Sequence, residues 1–247
     1  MARVNRLLLV LVLTTLGHAF AEDFTFEVHT GNSAHAPNTL IVHQAGHDPV
    51  NISGATYTTR PFLPVDSLIG LTEDYYSLRV GYFAQDASQG EWDFGVELEF
   101  LHDKAYYEGG DDPDKVVRYL ELSDGLNQLM LNVVAWFPLL ADETVPGGRL
   151  HLVGRAGIGP AITAPASVVR GLQSGTRTHM APEVFYVMAG PSAQASAQVR
   201  YYVTPSFALS IEGKATIAHT RNTIAEGYAS ATFHGLHWNV GVTFQVP

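Results

Sequence analysis

Cysteine is absent from all 247 residues. Its absence removes disulfides, thiolate metal sites and any lipid anchor attached through a cysteine. Long apolar runs are nearly absent as well. The one near the start, Leu7 to Leu13, follows Arg3 and Arg6 and is broken by Thr14 and Thr15. It is about half of the roughly twenty residues that a membrane helix needs. Small residues follow at Gly17, Ala19 and Ala21. This is the pattern of a secretory signal peptide, so residues 1–21 are expected to be a cleaved leader and 22–247 one mature domain. Basic residues are few, with 14 Lys and Arg against 24 Asp and Glu. The leader holds two of the basic residues and no acidic ones, leaving 12 − 24 = −12. Nucleic acid is therefore not an expected partner. Mean hydropathy of +0.06 excludes a helical membrane bundle but not a β-barrel, whose strands dilute apolar residues with polar ones.

What the chain does have is alternation. Segments starting at Phe24, Tyr75, Trp92, Leu126, Leu150, Ala189, Phe207 and His237 follow the two-residue period of a strand. In the third, Trp92, Phe94, Val96, Leu98 and Phe100 oppose Asp93, Gly95, Glu97 and Glu99. In the eighth, Trp238, Val240, Val242, Phe244 and Val246 oppose Asn239, Gly241, Thr243 and Gln245. An even number of strands of about ten residues suits a closed bacterial barrel.

A soluble lipocalin-like barrel also alternates, so two further features decide the solvent. Connections alternate in length: the first, of roughly 45 residues, precedes a tight turn at Asp86 to Gly90, and the gaps after strands three, five and seven are again long. Phe24, Tyr82, Trp92, Phe137, Tyr201, Phe207 and Phe244 all fall on the apolar face, at the ends of strands facing the short turns. Aromatic side chains at one height form an interfacial girdle. The sequence thus predicts an all-β fold, an eight-stranded antiparallel up-and-down transmembrane β-barrel with long extracellular loops. Arg79, Glu97, Glu99, Arg155, Arg200, Glu212 and Lys214 would then point inward. In so narrow a barrel they form a salt-bridged plug rather than line a pore.

Candidate chemistry lies at the outer end. Glu108, Asp111, Asp112 and Asp114 follow His102, Asp103 and Lys104. They are either hard-oxygen ligands for a divalent cation or a solvated turn. His35, His43, His47, His102, His179, His219 and His234 crowd the same end and form a site only if they converge. No Gly-x-Ser-x-Gly elbow, phosphate loop or His-Glu-x-x-His pair is present, and no His-x-Ser pair occurs on a strand, which disfavours acyl chemistry.

The segments Phe100 to Tyr106, Leu120 to Asn127 and Gly31 to Pro37 resemble the outer-membrane lipid A oxidase family and its opacity-type barrel relatives. That resemblance implies oxidation of the proximal glucosamine of lipid A, using oxygen and a divalent metal ion. It would place His102, Asp103 and Lys104 beside the sugar, with Asp124 and Asn127 facing them. His102 would be the metal ligand or base, Asp124 a second metal ligand and Lys104 a phosphate partner. The implied partners are outer-membrane lipids and lipopolysaccharide, with the outer-membrane assembly machinery during biogenesis, for a protein expected to be a monomer. A non-enzymatic opacity-type barrel with a structural or surface-interaction role is the alternative.

Overall fold

The computed structural model describes residues 23–59, 75–83, 92–140, 145, 148–175 and 186–246. The expected leader, the tight turn at Asp86 to Gly90 and His179 lie outside the described residues.

Among the described residues there are fourteen strands. Eight form the barrel: β1 (Asp23–His35), β4 (Tyr76–Phe83), β5 (Asp93–His102), β8 (Leu126–Leu140), β9 (Leu150–Thr163), β12 (Val187–Thr204), β13 (Phe207–Ile224) and β14 (Gly227–Val246). They pair in the order β1-β4-β5-β8-β9-β12-β13-β14, and β14 returns antiparallel onto β1 with Phe24 opposite Val246 and His35 opposite Gly235. The ring leaves no unpaired edge, as a strand structure in hydrocarbon must.

The two faces have the chemistry the alternation predicts. Leu131 is 62% exposed and Ile158 71%, on a wall where Val96, Leu98, Ile211 and Val240 also face out. The girdle rings touch across strands: Phe24 with Tyr82 at 5.3 Å, Trp92 with Phe137 at 5.1 Å and Phe207 with Phe244 at 5.3 Å. A wall this apolar has hydrocarbon as its solvent, because water would be driven from it.

The interior is filled in layers. At the girdle end Phe83 stacks on Trp136 at 4.6 Å, with His151 and Tyr202 beside them. Above this floor lies the charged network. Seven of its charges are those that alternation points inward, and Glu27 is the eighth. Glu27, Glu97, Glu99 and Glu212 balance Arg79, Arg155, Arg200 and Lys214. Arg79 meets Glu212 at 2.7 Å and Glu99 at 3.0 Å, while Asn132, Gln198 and Asn239 donate to the carboxylates of Glu99, Glu27 and Glu212. Buried charges persist only when paired and hydrogen-bonded, so this equality makes the plug tolerable.

The expected long outer connections are present and are themselves built of short strands. The stretch after β1 folds into β2 (Asn38–Gln44) and β3 (Val50–Thr58); β6 (Ala105–Asp111), β7 (Val117–Leu122), β10 (Ala166–Val169) and β11 (Leu172–Ser174) continue the sheet from β14. The expected seventh loop is the hairpin in which β13 and β14 rise above the membrane and turn at Ala225 and Glu226. Leu40, Val42, Ile52, Leu120 and Leu122 pack against Ala218, Ile224, Ala229 and Phe233 from that hairpin. An apolar cap thus closes the mouth. The Gly109 to Asp114 run is the end of β6 and the turn after it, in which the Asp112 carboxylate accepts from Val116 N and Val117 N, both at 2.9 Å. That carboxylate serves the turn.

A candidate site at the outer rim

Successive strand residues point to opposite faces, and this divides the expected site in two. His102 pairs with Tyr76 in the β4–β5 ladder and stacks on it at 4.9 Å and 17°. Both continue the lipid-facing rows of Phe100 and Leu78, and Asn127 heads the row of Leu129 and Leu131. His102 and Asn127 therefore stand on the lipid side of the rim, although both are nearly inaccessible. Asp103 turns into the mouth instead.

On the lipid side, one interaction sets the next. Asn127 Nδ2 donates to the Asp124 carbonyl at 3.3 Å, and Tyr186 Oη donates to the same carbonyl at 3.3 Å. With its amide so oriented, Asn127 presents Oδ1 to His102 Nδ1 at 2.6 Å. A carbonyl oxygen accepts, so neutral His102 carries its proton on Nδ1 and has its lone pair on Nε2. Nε2 is buried and has no hydrogen-bond partner. An imidazole oriented by a second group, with the other nitrogen open, is the arrangement of a general base.

On the luminal side, Asp103 Oδ1 accepts from Ser33 Oγ at 2.6 Å and from Lys104 N at 2.8 Å. Its Oδ2 lies 3.3 Å from His35 Nε2 and 3.9 Å from His237 Nδ1, and His237 Nε2 pairs with Thr216 Oγ1 at 2.8 Å. Burial alone would push the Asp103 carboxyl up; His35, with help from His237 and Ser33, holds it at about 2. Lys104 is buried, and its carbonyl is 3.4 Å from His35 Nε2.

Of the expected residues, the structure brings His102, Asn127 and the Asp124 backbone together, and separates them from Asp103. Ser33, His35, His237 and Tyr76 join the two halves without having been singled out for these contacts. One signal was available: a closed ring must set the first strand beside the last, so polar residues at the tops of β1 and β14 meet, as Ser33 does opposite His237. Among the described residues, the other expected histidines form no metal-ligating group. His43 stacks on Tyr228, His219 pairs with Thr232 and His234 is exposed. Among the described residues no group of three or more His, Asp or Glu side chains is placed to hold a metal ion, so the donor set does not fit the divalent metal that the resemblance implies.

The closed even-stranded ring, the lipid-facing wall and the sealed interior define an eight-stranded outer-membrane β-barrel protein. No family model matches the sequence, and no curated protein matches it. Solved structures similar to it include the outer membrane protease OmpT of Escherichia coli, with TM-score 0.44, 10% identity and coverage of 93% of this chain and 99% of that one. OprG of Pseudomonas aeruginosa has TM-score 0.43 at 9% identity over 91% and 96%. Ail, the attachment invasion locus protein of Yersinia pestis, has TM-score 0.33 at 8% identity over 89% and 99%. At such identities the similarity concerns fold alone.

Proposed function

We propose that this barrel modifies lipid A at the outer leaflet, with His102 as general base. The observation that carries the reading is the buried, unpartnered Nε2 of an imidazole whose other nitrogen is fixed by Asn127, on the lipid-facing side of the rim. A headgroup arriving laterally from the outer leaflet would meet this side of the wall. A base so placed takes a proton from a sugar hydroxyl, while Tyr76 holds the imidazole plane by stacking. The reaction the resemblance implies oxidises the proximal glucosamine with oxygen and a divalent metal ion, two electrons passing from the sugar to dioxygen; within it His102 would take the proton.

Mass spectrometry of lipid A from aerobically grown cells with and without the gene, supplied with divalent cation, tests this. A mass difference that His102→Ala abolishes is expected. Identical lipid A in both strains would remove the reading.

One observation favours a second reading, a non-enzymatic opacity-type barrel. The outer end is an ordered sheet with its own apolar core, and such a surface is suited to contact with another molecule. It predicts unchanged lipid A and a cell-surface phenotype lost when β6 and β7 are replaced by a short turn.

A further inference from the structure

Above the apolar belt, the outer wall of β13, β14 and β2 changes character. Ten residues separate Phe207 in the girdle from Ile217, the last apolar residue in the outward row of β13. At about 3.3 Å per residue and a tilt near 40°, they rise roughly 25 Å, the height of the hydrocarbon band. The next outward residues therefore stand at headgroup level. They are His219 and Arg221 on β13, with Thr232 and Tyr228 on β14 and His43 on β2.

The Arg221 guanidinium lies over the Tyr228 ring, 3.6 Å from its centroid, and His43 stacks on the same ring at 4.5 Å and 21°. Stacking occupies the face of the guanidinium and leaves its in-plane N–H groups pointing away from the ring. No described carboxylate pairs with Arg221. The outward rows of these three strands contain no Asp or Glu, and Glu226 and Asp48 are confined to the turns beyond. In a chain with formal net charge −10, an acid-free face with a stacked arginine stands out, and it begins where the lipid-facing wall ends. His219, paired with Thr232 at 3.0 Å, and His234, opposite Ile217, place further N–H donors at its lower edge.

We propose that Arg221, held flat by Tyr228 and His43, binds the phosphate of an outer-leaflet glycolipid whose acyl chains lie on the apolar wall beneath. Planar guanidinium donors match phosphate oxygens two at a time, and the adjoining belt supplies the hydrocarbon contact that a free anion could not use. The site is on different strands from His102 and does not depend on catalysis.

The full chain in detergent micelles is titrated with bisphosphorylated lipid A, and with the same lipid stripped of phosphate, while native mass spectrometry counts bound lipid. Wild type is expected to retain the phosphorylated lipid in preference, with Arg221→Ala weakening retention about tenfold, the loss of a charge-assisted contact. Arg221→Lys should recover part of it. Arg221 is exposed, so heat-modifiable migration in electrophoresis should confirm that these variants fold. Equal binding by Arg221→Ala, or equal retention of the stripped lipid, would overturn the proposal. Full displacement by excess inorganic phosphate would reveal a free-anion site and overturn the lipid assignment. Lipid A mass in cells is a separate readout, so failure of the modification reading leaves this one standing or falling by itself.

Discussion

Arg155 grips Glu97 through two parallel contacts, Nε to Oε2 at 2.6 Å and Nη2 to Oε1 at 3.1 Å, wholly out of contact with solvent. Its second terminal nitrogen reaches Glu212 at 3.4 Å, and Nη2 also meets Glu27 at 2.9 Å, so one guanidinium joins three carboxylates from three strands. Arg155→Met should leave those carboxylates undercompensated and cost about 3–5 kcal/mol. The double variant with Glu97→Gln should cost markedly less, because a balanced pair is removed. Urea unfolding in detergent, followed by tryptophan fluorescence, checks both. Equal losses in the single and double variants would contradict the pairing.

The same plug, floored by Phe83 and Trp136 and covered by the apolar cap, should carry no steady ion current. Planar-bilayer recording of the purified protein is expected to show a silent membrane. Sustained openings of porin size would contradict the sealed interior.

Two glycines should respond oppositely to one added methyl. A Cβ at Gly157 would fall 1.8 Å from Asn132 Oδ1, an oxygen that accepts from Gln194. Gly157→Ala should displace Asn132 from Glu99 as well and cost about 1–3 kcal/mol. At Gly213 nothing lies within 4 Å, so Gly213→Ala should be neutral or mildly stabilising. The same unfolding measurement separates them; a reversed order would refute the interior and exterior assignment.

Asn127 sets the His102 tautomer, so on the proposed reading Asn127→Leu should lower lipid A modification about a hundredfold while leaving the barrel folded. A hydroxylated or acidic replacement that still accepts from Nδ1 should retain more. Single-turnover assays on purified lipid A, with heat-modifiable migration as the folding control, provide the comparison. Undiminished turnover in the leucine variant would remove His102 orientation from the mechanism.

The barrel strands were legible because their signal is local. Phe94, Val96 and Leu98 against Asp93, Glu97 and Glu99 declare both faces of β5 within a few residues. Glu27 was open to the same logic, as it lies on the polar face of β1, yet only its register beside Arg79 shows that it completes the charge balance. The cap strands were not legible. β2 and β3 lie in a stretch without sustained alternation; β2 gains order by pairing with β14, nearly two hundred residues away in the chain, and β3 by pairing with β2 and β6.

By itself, the sequence determined which side chains meet lipid and which meet the lumen, since a strand's two-residue period is written into consecutive residues. Only the tertiary structure decided which residues act together. Ring closure brought Ser33 beside His237, edge pairing turned loops into a cap, and the pleat at the end of β5 sent His102 to the lipid side and Asp103 into the mouth. Strand pairing joins residues far apart in the chain through backbone hydrogen bonds that carry no residue identity, so the partners cannot be read from either strand alone.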